Sequence, residues 1–195
     1  MEDFALLRTK RFIAVGALAL VGVAAPVVAQ DEAPDSEELF DAVREDDART
    51  VQQMLDDGAD ANAATERGLS ALGYASIHGY TDVATALIAA GADVAAKDPA
   101  GATAIAYAAQ FGHVEIIDAL IEGGADVNAK DTSDWTPLIR AAVGGQAEAT
   151  TRLLAAGADA SAETFLGKSA MEIAETNGDQ AVIDALNGTT ESSPS

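Results

Sequence analysis

The chain has 195 residues, of which 49% are apolar and only 5% aromatic, so its core must consist mainly of alanine and aliphatic side chains. This composition favours closely packed helices over a β-sandwich. The formal charge of −21, from 32 acidic and 11 basic residues, argues against binding to nucleic acid or an anionic bilayer, because phosphates would repel the protein. Without cysteine, disulfides, thiolate zinc sites, a cysteine nucleophile and a lipoprotein anchor are excluded.

The segment 1–29 has the features of a secretory signal peptide. A basic start precedes an uncharged apolar stretch at 12–25, and the small side chains of Val27 and Ala29 lead into a polar segment. We predict cleavage after Ala29 and export of the mature protein to the periplasm. The alternative is an uncleaved anchor in the inner membrane, but the apolar stretch is short for the ~20 residues that a span needs and Pro26 disturbs its end.

A short polar segment at 30–35 predicts a flexible leader, and the chain then repeats itself every 33 residues. The tripeptide Gly-Ala-Asp begins at Gly58, Gly91, Gly124 and Gly157. Further columns keep the same step, namely the glycines Gly79, Gly112, Gly145 and Gly178, the alanines Ala42, Ala75, Ala108, Ala141 and Ala174, and the hydroxyl residues Ser70, Thr103, Thr136 and Ser169. Because several independent columns share one period, the chain is predicted to be a repeat protein.

Each unit predicts a pair of short helices and a turn. In the fourth unit Thr136 and Pro137 are typical of a helix start, and the helix is predicted to stop near Gly144-Gly145. In the third unit a second helix is predicted over 114–122, with apolar residues at helical spacing. The polar stretch 125–135 predicts an extended finger between helix pairs. One such unit cannot bury its apolar face alone, so the units must stack into a solenoid.

These columns resemble the ankyrin repeat, whose pattern runs from D-x-x-G-x-T-P-L-H-x-A-A-x-x-G-H through an apolar helix to L-L-x-x-G-A-D-V-N-A. The third unit matches it at Asp98, Gly101, Thr103, Ile105, Ala108, Ala109, Gly112, His113, Leu120, Ile121 and 124–129. The fourth matches at Asp131, 136–138, Ala141, Ala142, Leu153, Leu154 and 157–159. The resemblance implies an all-α ankyrin-repeat solenoid of about five helix-turn-helix units with short β-hairpin fingers.

The resemblance covers about residues 36–187, nearly the whole predicted mature chain. It divides this region into units at about 36–63, 64–96, 97–129, 130–162 and 163–187, followed by a disordered tail at 188–195. The first and fifth units depart most from the pattern, so we expect them to cap the stack with polar outer faces. Three full fingers would remain between them.

Two departures from the family pattern predict weaker links within the stack. The histidine of the pattern is absent from every unit, where Gly73, Ala106, Ile139 and Glu172 stand instead. The hydrogen bond between units that the family makes from this histidine to a threonine is therefore expected to be missing. In the second helix of the fourth unit, Ala149 and Thr150 replace a bulky aliphatic pair, which predicts looser packing there.

No pattern in the sequence predicts catalysis. The two histidines, His78 and His113, lie in different units and share no recognisable triad motif with a serine or aspartate. They supply no zinc-ligand spacing either. The acidic residues at 56–60 belong to the ordinary repeat pattern and form no calcium loop, so weak divalent binding is the only metal interaction left open. We predict no enzyme, no cofactor and no metal site.

The resemblance implies that partners bind a concave surface made of the fingers and the ends of the first helices. Transferred to this chain, it selects Glu66, Arg67, Leu69, Ile77, His78, Gln110, Phe111, Thr132, Ser133, Trp135 and Val143. Leu69, Phe111 and Trp135 occupy slots that face solvent in the free protein, so we expect them to anchor a partner. The alternative for Trp135 is packing on the neighbouring finger.

The sequence therefore predicts a protein-binding module or adaptor, monomeric, with a protein partner and no contact with nucleic acid or, after signal cleavage, with membrane. A second hypothesis, from another class, is an acidic inhibitor or protective chaperone of a basic exported enzyme. The charge of −21 would then steer association, and binding would weaken steeply as salt rises.

Overall fold

The computed structural model describes residues 36–188. The predicted signal peptide and leader, and all of the predicted tail except Gly188, lie outside these residues. Within them, ten helices follow one another in pairs. Their bounds are Ser36–Arg44 (α1), Ala48–Asp56 (α2), Ala71–His78 (α3), Thr81–Ala89 (α4), Ala104–Phe111 (α5), Val114–Glu122 (α6), Pro137–Val143 (α7), Ala147–Ala155 (α8), Ala170–Asn177 (α9) and Gln180–Gly188 (α10). None of these ten combines the length and the apolar character that crossing a bilayer requires.

The first helix of each unit begins and ends at residues that the repeat columns assign to these roles. Thr136 accepts a hydrogen bond from the Ile139 amide at 3.3 Å, and Pro137 lies in the first turn of α7, which confirms the predicted helix start. Ser169 forms a reciprocal capping box with Glu172 at the start of α9. Glycines in the left-handed conformation end α3, α5 and α9, at Gly79, Gly112 and Gly178.

Two rows of helices build the core. The helices α1, α3, α5, α7 and α9 stack in an inner row, and α2, α4, α6, α8 and α10 stack in an outer row. The alanine column of the inner row is buried, which lets neighbouring helices approach closely. Leu72, Ile105 and Leu138 lie in the same core with at most 1% of their surface exposed, and burying each such side chain contributes about 1.5–3 kcal/mol. The contacts between units therefore hold the stack together.

Four fingers connect the helix pairs, and one backbone hydrogen bond closes each of them. The amides of Thr65, Asp98, Asp131 and Thr164 donate, over 2.9–3.1 Å, to the carbonyls of Leu69, Ala102, Trp135 and Lys168. The prediction of three full fingers is therefore wrong. The fifth unit also has one, because its finger precedes α9 and does not depend on the second Gly-Ala-Asp that this unit lacks. The first and fourth fingers carry isolated β-bridges, Ala64 with Ser70 and Glu163 with Ser169.

A residue with positive φ closes the turn of every finger. Gly68, Gly101 and Gly167 supply it in the first, second and fourth fingers, with φ between 69° and 79°. The third finger has Asp134 at φ 60° instead. Aspartate is among the few residues with a side chain that tolerate this conformation, so the four turns keep one shape despite the substitution.

The third unit, which lacks the histidine of the pattern, contains a buried threonine hydroxyl without a hydrogen-bond partner within residues 36–188. The Thr103 hydroxyl is buried and has no hydrogen-bond partner among the described residues. The expected loss of the family's hydrogen bond between units is consistent with this orphan group. A buried hydroxyl without a partner lowers stability by about 1–3 kcal/mol.

The second helix of the fourth unit is packed differently from its neighbour. Ala149 and Thr150 in α8 are completely buried, as are Ile116 and Ile117 in α6, and the Thr150 hydroxyl donates to the Gln146 carbonyl at 2.8 Å. The smaller side chains make fewer dispersion contacts, so looser packing of α8 stays a prediction. We expect faster amide hydrogen exchange in α8 than in α6, and equal protection would contradict it.

Candidate protein-binding surface

Backbone hydrogen bonds join the tips of the second, third and fourth fingers. The Thr132 amide and hydroxyl both donate to the Ala100 carbonyl, at 2.9 and 2.8 Å. One unit further on, the Phe165 amide donates to the Ser133 carbonyl at 3.0 Å. These three tips therefore form one continuous row, which we call the fingertip row (99–100, 132–133 and 165–166).

The first fingertip stands outside this row because Pro99 occupies the linking position. Proline has no backbone N–H, so it cannot donate to the Arg67 carbonyl as Thr132 and Phe165 donate to their predecessors. The Pro99 ring instead lies close to Gly68, where a Cβ would meet its Cδ at 3.2 Å. Glu66 and Arg67 are exposed on this first tip.

Arg140 contacts several residues near the fingertip row, among them predicted ones. Its guanidinium donates to the Asp131 carboxylate at 2.5 Å and to the Gln110 side-chain oxygen at 2.8 Å. It also lies over the rings of Trp135 and Tyr107, with its carbon 5.6 and 5.7 Å from the centroids. The Arg140 and Asp131 side chains are only 14% and 6% exposed, so solvent screens this ion pair little.

Asp131 is held in its charged form by this arrangement. Burial opposes ionisation, but the amides of Trp135 and Ser133 donate to the carboxylate and Arg140 adds its positive charge. The hydrogen bonds and the charge outweigh burial, so the pKa of Asp131 lies below its usual value. The carboxylate thereby fixes the turn of the third finger and the position of Arg140 together.

Tyr107 occupies in the third unit the place that Arg140 has in the fourth. Its hydroxyl donates to the Asp98 carboxylate of its own finger. Burial, together with this hydrogen bond and the negative charge of Asp98, raises the pKa of Tyr107 to about 12. The phenol therefore remains neutral at physiological pH.

Two further predicted residues meet at the ends of the inner helices. The His113 ring has Nε2 3.3 Å from the Ile77 carbonyl oxygen, and it stacks on Phe111 with ring centroids 6.4 Å apart. The ring lies so close to Gly79 that a Cβ there would approach it to 2.6 Å. Phe111 keeps 45% of its surface exposed, so it remains available to a partner.

His78 belongs to an aromatic cluster at the start of the stack. Its ring lies against Tyr74 and Tyr80, with centroids 4.3 and 5.4 Å apart, and Tyr74 meets Phe40 edge to face at 5.4 Å. Arg44 lies over the Phe40 ring at 4.9 Å. His78 is exposed, but its stacking gives it a packing role beside any contact with a partner.

The structure thus divides the predicted residues into separate groups. Thr132 and Ser133 lie in the fingertip row, Gln110 and Trp135 around Arg140, and Ile77 and Phe111 around His113. Trp135 is half-buried and packs on the core, contrary to the expectation that it faces solvent. Arg140 also lies over its ring, a contact that the sequence did not indicate. Leu69 is likewise half-buried, whereas Val143 ends α7 with 36% of its surface exposed.

Phe165 and Leu166 are functional candidates that sequence reasoning missed. They form the tip of the fourth finger and are 74% and 75% exposed, more than any other large apolar side chain of residues 36–188. They occupy the slot of Glu66 and Arg67, three periods later, so the period itself could have found them. They lie outside the predicted surface because the sequence predicted only three full fingers.

Across residues 36–188, no group of three or more histidine, cysteine, aspartate or glutamate side chains is arranged to hold a metal ion.

Paired helices in two rows, joined by fingers at a period of 33, define a helical repeat solenoid, a class built from one repeated unit that buries a continuous core. Residues 39–131 match the profile of the ankyrin repeats, in three copies. The chain therefore contains ankyrin repeats, which are generally protein–protein interaction modules. A search of curated proteins found no significant match.

Proposed function

We propose that this protein is a non-enzymatic protein-binding module, or adaptor, which engages its partner through the fingers and the ends of the inner helices. The observation that carries the proposal is the fingertip row, an edge of three hydrogen-bonded tips that ends in the exposed apolar pair Phe165 and Leu166. Exposed apolar side chains within a polar surface are typical of protein-binding sites.

The proposed surface includes the residues that the repeat pattern selects together with the fourth fingertip. Exposed members at or beside the tips are Glu66, Arg67, Thr132, Ser133, Phe165 and Leu166. Members nearer the inner helices are Leu69, Ile77, His78, Gln110, Phe111, Trp135 and Val143. In this arrangement Phe165, Leu166 and Phe111 act as the apolar anchors, and Trp135 supports the finger from which Thr132 and Ser133 project.

We place this function in the periplasm, on the strength of the predicted signal peptide at 1–29. If the signal is retained, the same surface would act from the inner membrane. The absence of cysteine suits an oxidising compartment, because no thiol is available for unwanted disulfides.

Site-specific photo-crosslinking tests the proposed surface. Benzoylphenylalanine is placed at position 132 or 165 on the fingertip row, and as controls at the exposed positions 85 and 151 of the outer helices α4 and α8. We expect one partner to crosslink from the fingertip row only. Crosslinks from the outer positions alone would contradict the proposal.

A double variant gives the quantitative measure. Phe165→Ser with Leu166→Ser removes both exposed anchors and no core contact, so the fold should persist. Partner capture is expected to fall by about tenfold or more, since central apolar anchors contribute most of the affinity of an interface. Unchanged capture by a folded variant would remove the fourth fingertip from the site.

The charge of the chain supports a second candidate function, that of an acidic inhibitor or protective chaperone of a basic exported enzyme. A formal charge of −21 accelerates association with a positively charged target and repels negatively charged ones. The two functions differ in salt dependence. An association rate that falls steeply with salt favours the second, and a flat rate favours an adaptor bound by apolar contact.

A further inference from the structure

A cavity lies between the first and second fingers. It measures about 320 Å³. Leu69, Leu72 and Ala104 supply apolar walls, and Asp93, Asp98 and Lys97 lie among its polar lining residues. We call this cavity the first-finger groove.

Two features of the sequence keep the groove open. Pro99 cannot form the backbone hydrogen bond that draws the later fingers together, so the first finger is not tied to the second. Ala102 and Gly73 also leave space there, whereas one unit further on Trp135 and Ala106 occupy the corresponding positions. A smaller cavity of about 240 Å³ lies at the equivalent place one unit further on, with Thr103, Ile105 and Asp126 among its lining residues.

The charge of the groove also differs from that of its counterpart. In the fourth unit the guanidinium of Arg140 neutralises Asp131. In the third unit Asp98 accepts hydrogen bonds from uncharged donors, the Tyr107 hydroxyl and the Ala100 and Ala102 amides. The Lys97 ammonium does not compensate, because it donates to the Lys130 carbonyl at 3.0 Å. Within residues 36–188, neither Asp93 nor Asp98 takes part in an ion pair.

We propose that the first-finger groove receives an arginine or lysine side chain of the partner protein. The methylene stem would lie along Leu69, Leu72 and Ala104, and the cationic end would meet Asp98 and Asp93. Long basic side chains bury an apolar stem while their charged end remains at a polar site, which matches these walls and this rim. The inference rests on the proposed function and specifies the chemistry of the partner.

The charge of the whole chain favours the same occupant. A formal charge of −21 raises the local concentration of basic segments around the protein and disfavours a second copy of this chain as occupant. The groove would then convert a general electrostatic attraction into one defined contact.

Chemical-shift titration of the ¹⁵N-labelled protein tests the groove directly. The probe is the peptide acetyl-Gly-Arg-Gly-amide, and its control replaces arginine with citrulline, which is uncharged and of nearly the same shape. The arginine peptide is expected to shift the amides of Asn62, Leu69 and Gly73 saturably. The citrulline peptide should bind about tenfold more weakly or not measurably, because it lacks the charge.

Matched variants distinguish the groove from the acidic surface in general. Asp98→Asn and Asp93→Asn keep the side-chain oxygen that accepts backbone amides in these turns, so the fold should persist. Each is expected to weaken the arginine peptide several-fold, about threefold or more. Asp126→Asn removes the equivalent charge of Asp93 beside the smaller cavity one unit further on, and it should leave the shifts of Asn62, Leu69 and Gly73 unchanged.

A filling variant removes the space and keeps the charges. Ala102→Trp places in the second finger the residue that the third finger carries at Trp135. This variant should abolish the chemical-shift changes that the arginine peptide causes at the groove, and circular dichroism verifies that the variant is folded. If it is unfolded, the Asp98→Asn and Asp93→Asn results decide.

Three results would overturn the proposal. These are equal binding of the citrulline peptide, equal weakening by Asp126→Asn and Asp93→Asn, and shifts spread over all acidic turns without saturation at the groove. None of them affects the crosslinking from positions 132 and 165. Conversely, groove binding of the peptide without any partner crosslink from the fingertip row would count against the proposed function alone.

Discussion

Thr103 and Thr136 show how one residue in one repeat slot can have opposite effects on stability. Both begin an inner helix and both are buried. The Thr136 hydroxyl accepts the Ile139 amide at 3.3 Å, whereas the Thr103 hydroxyl has no partner within the described residues. The repeat pattern alone predicts the same capping role for both, because it cannot see the local geometry that decides it.

Replacing each of these threonines with valine is therefore expected to change stability in opposite directions. Thr103→Val removes an unsatisfied buried hydroxyl with little change of shape and should raise the free energy of unfolding by about 1 kcal/mol. Thr136→Val removes a cap and should lower it by about 1 kcal/mol. Urea unfolding followed by circular dichroism measures both. Equal losses in the two variants would show that Thr103 also caps its helix.

Trp135 marks the limit of prediction for single residues. Its slot in the third finger predicted exposure, but the side chain is half-buried. It packs on the core, and the Arg140 guanidinium carbon of the following helix lies 5.6 Å from the centroid of its ring. The contact depends on a residue that departs from its own column, where Asp41, Tyr74, Tyr107 and Ile173 stand in the other units. Such pairs of departures cannot be read from a pattern that treats each column separately.

Among the elements, the turns that follow the outer helices are linked by an incomplete series of asparagine contacts. The Asn62 side chain accepts the Asp93 amide of the next unit at 2.7 Å, and Asn128 accepts the Asp159 amide at 2.8 Å. Asn128 also donates to the Gly157 carbonyl at 3.2 Å. The unit between them carries Ala95 in this position and cannot make the link to Asp126.

Ala95→Asn is expected to complete the series and stabilise the junction of the second and third units. One or two new hydrogen bonds at an exposed site should raise the free energy of unfolding by about 1 kcal/mol. Amide exchange of 126–129 should slow in parallel. Asn128→Ala serves as the matched control and should lower stability by a similar amount. If Asn128→Ala has the expected effect and Ala95→Asn has none, the junction of the second and third units lacks the geometry of the junctions on either side.

The helices were more predictable from the sequence than the fingers. Caps and glycines recur in fixed columns, so the bounds of α6 and α7 agree with those expected from the repeat. The fingers depend on hydrogen bonds between units, which a single proline can remove. Pro99 was visible in the sequence, but its effect on the first fingertip follows only once the backbone bonds of Thr132 and Phe165 are known.

At the scale of the whole molecule, a few carboxylates stabilise the fold through local contacts, whereas the large excess of negative charge destabilises it by repulsion. The pKa of Asp131 lies below its usual value for the reasons given above. Side-chain hydrogen bonds from Thr50 and Ser161 lower the pKa values of Asp47 and Asp159, and the Ser169 amide lowers that of Glu172. Each of these groups stabilises the folded state when it is charged, whereas the remaining acidic residues mainly repel one another.

Stability is therefore expected to pass through a maximum as the pH falls. Between pH 7 and about pH 5 the first protonated carboxyls reduce the repulsion, so the unfolding midpoint in low salt should rise. At lower pH the trend reverses. A carboxyl with a lowered folded pKa contributes its full stability above its unfolded pKa, and this contribution is lost as the pH falls through the folded value.

Added salt and one variant distinguish the charge repulsion from the contribution of the stabilising carboxylates. Added salt screens exposed charges, so it should flatten the rise of the unfolding midpoint towards pH 5. The Asp131–Arg140 pair is sparsely exposed, so most of the stability that it loses at low pH should be lost in salt as well. Asp131→Asn keeps the acceptor for the finger amides but leaves Arg140 without its counter-charge. It should cost about 2 kcal/mol at pH 7 and make the acid limb shallower. An acid limb unchanged in this variant would mean that other carboxylates control the acid stability of the stack.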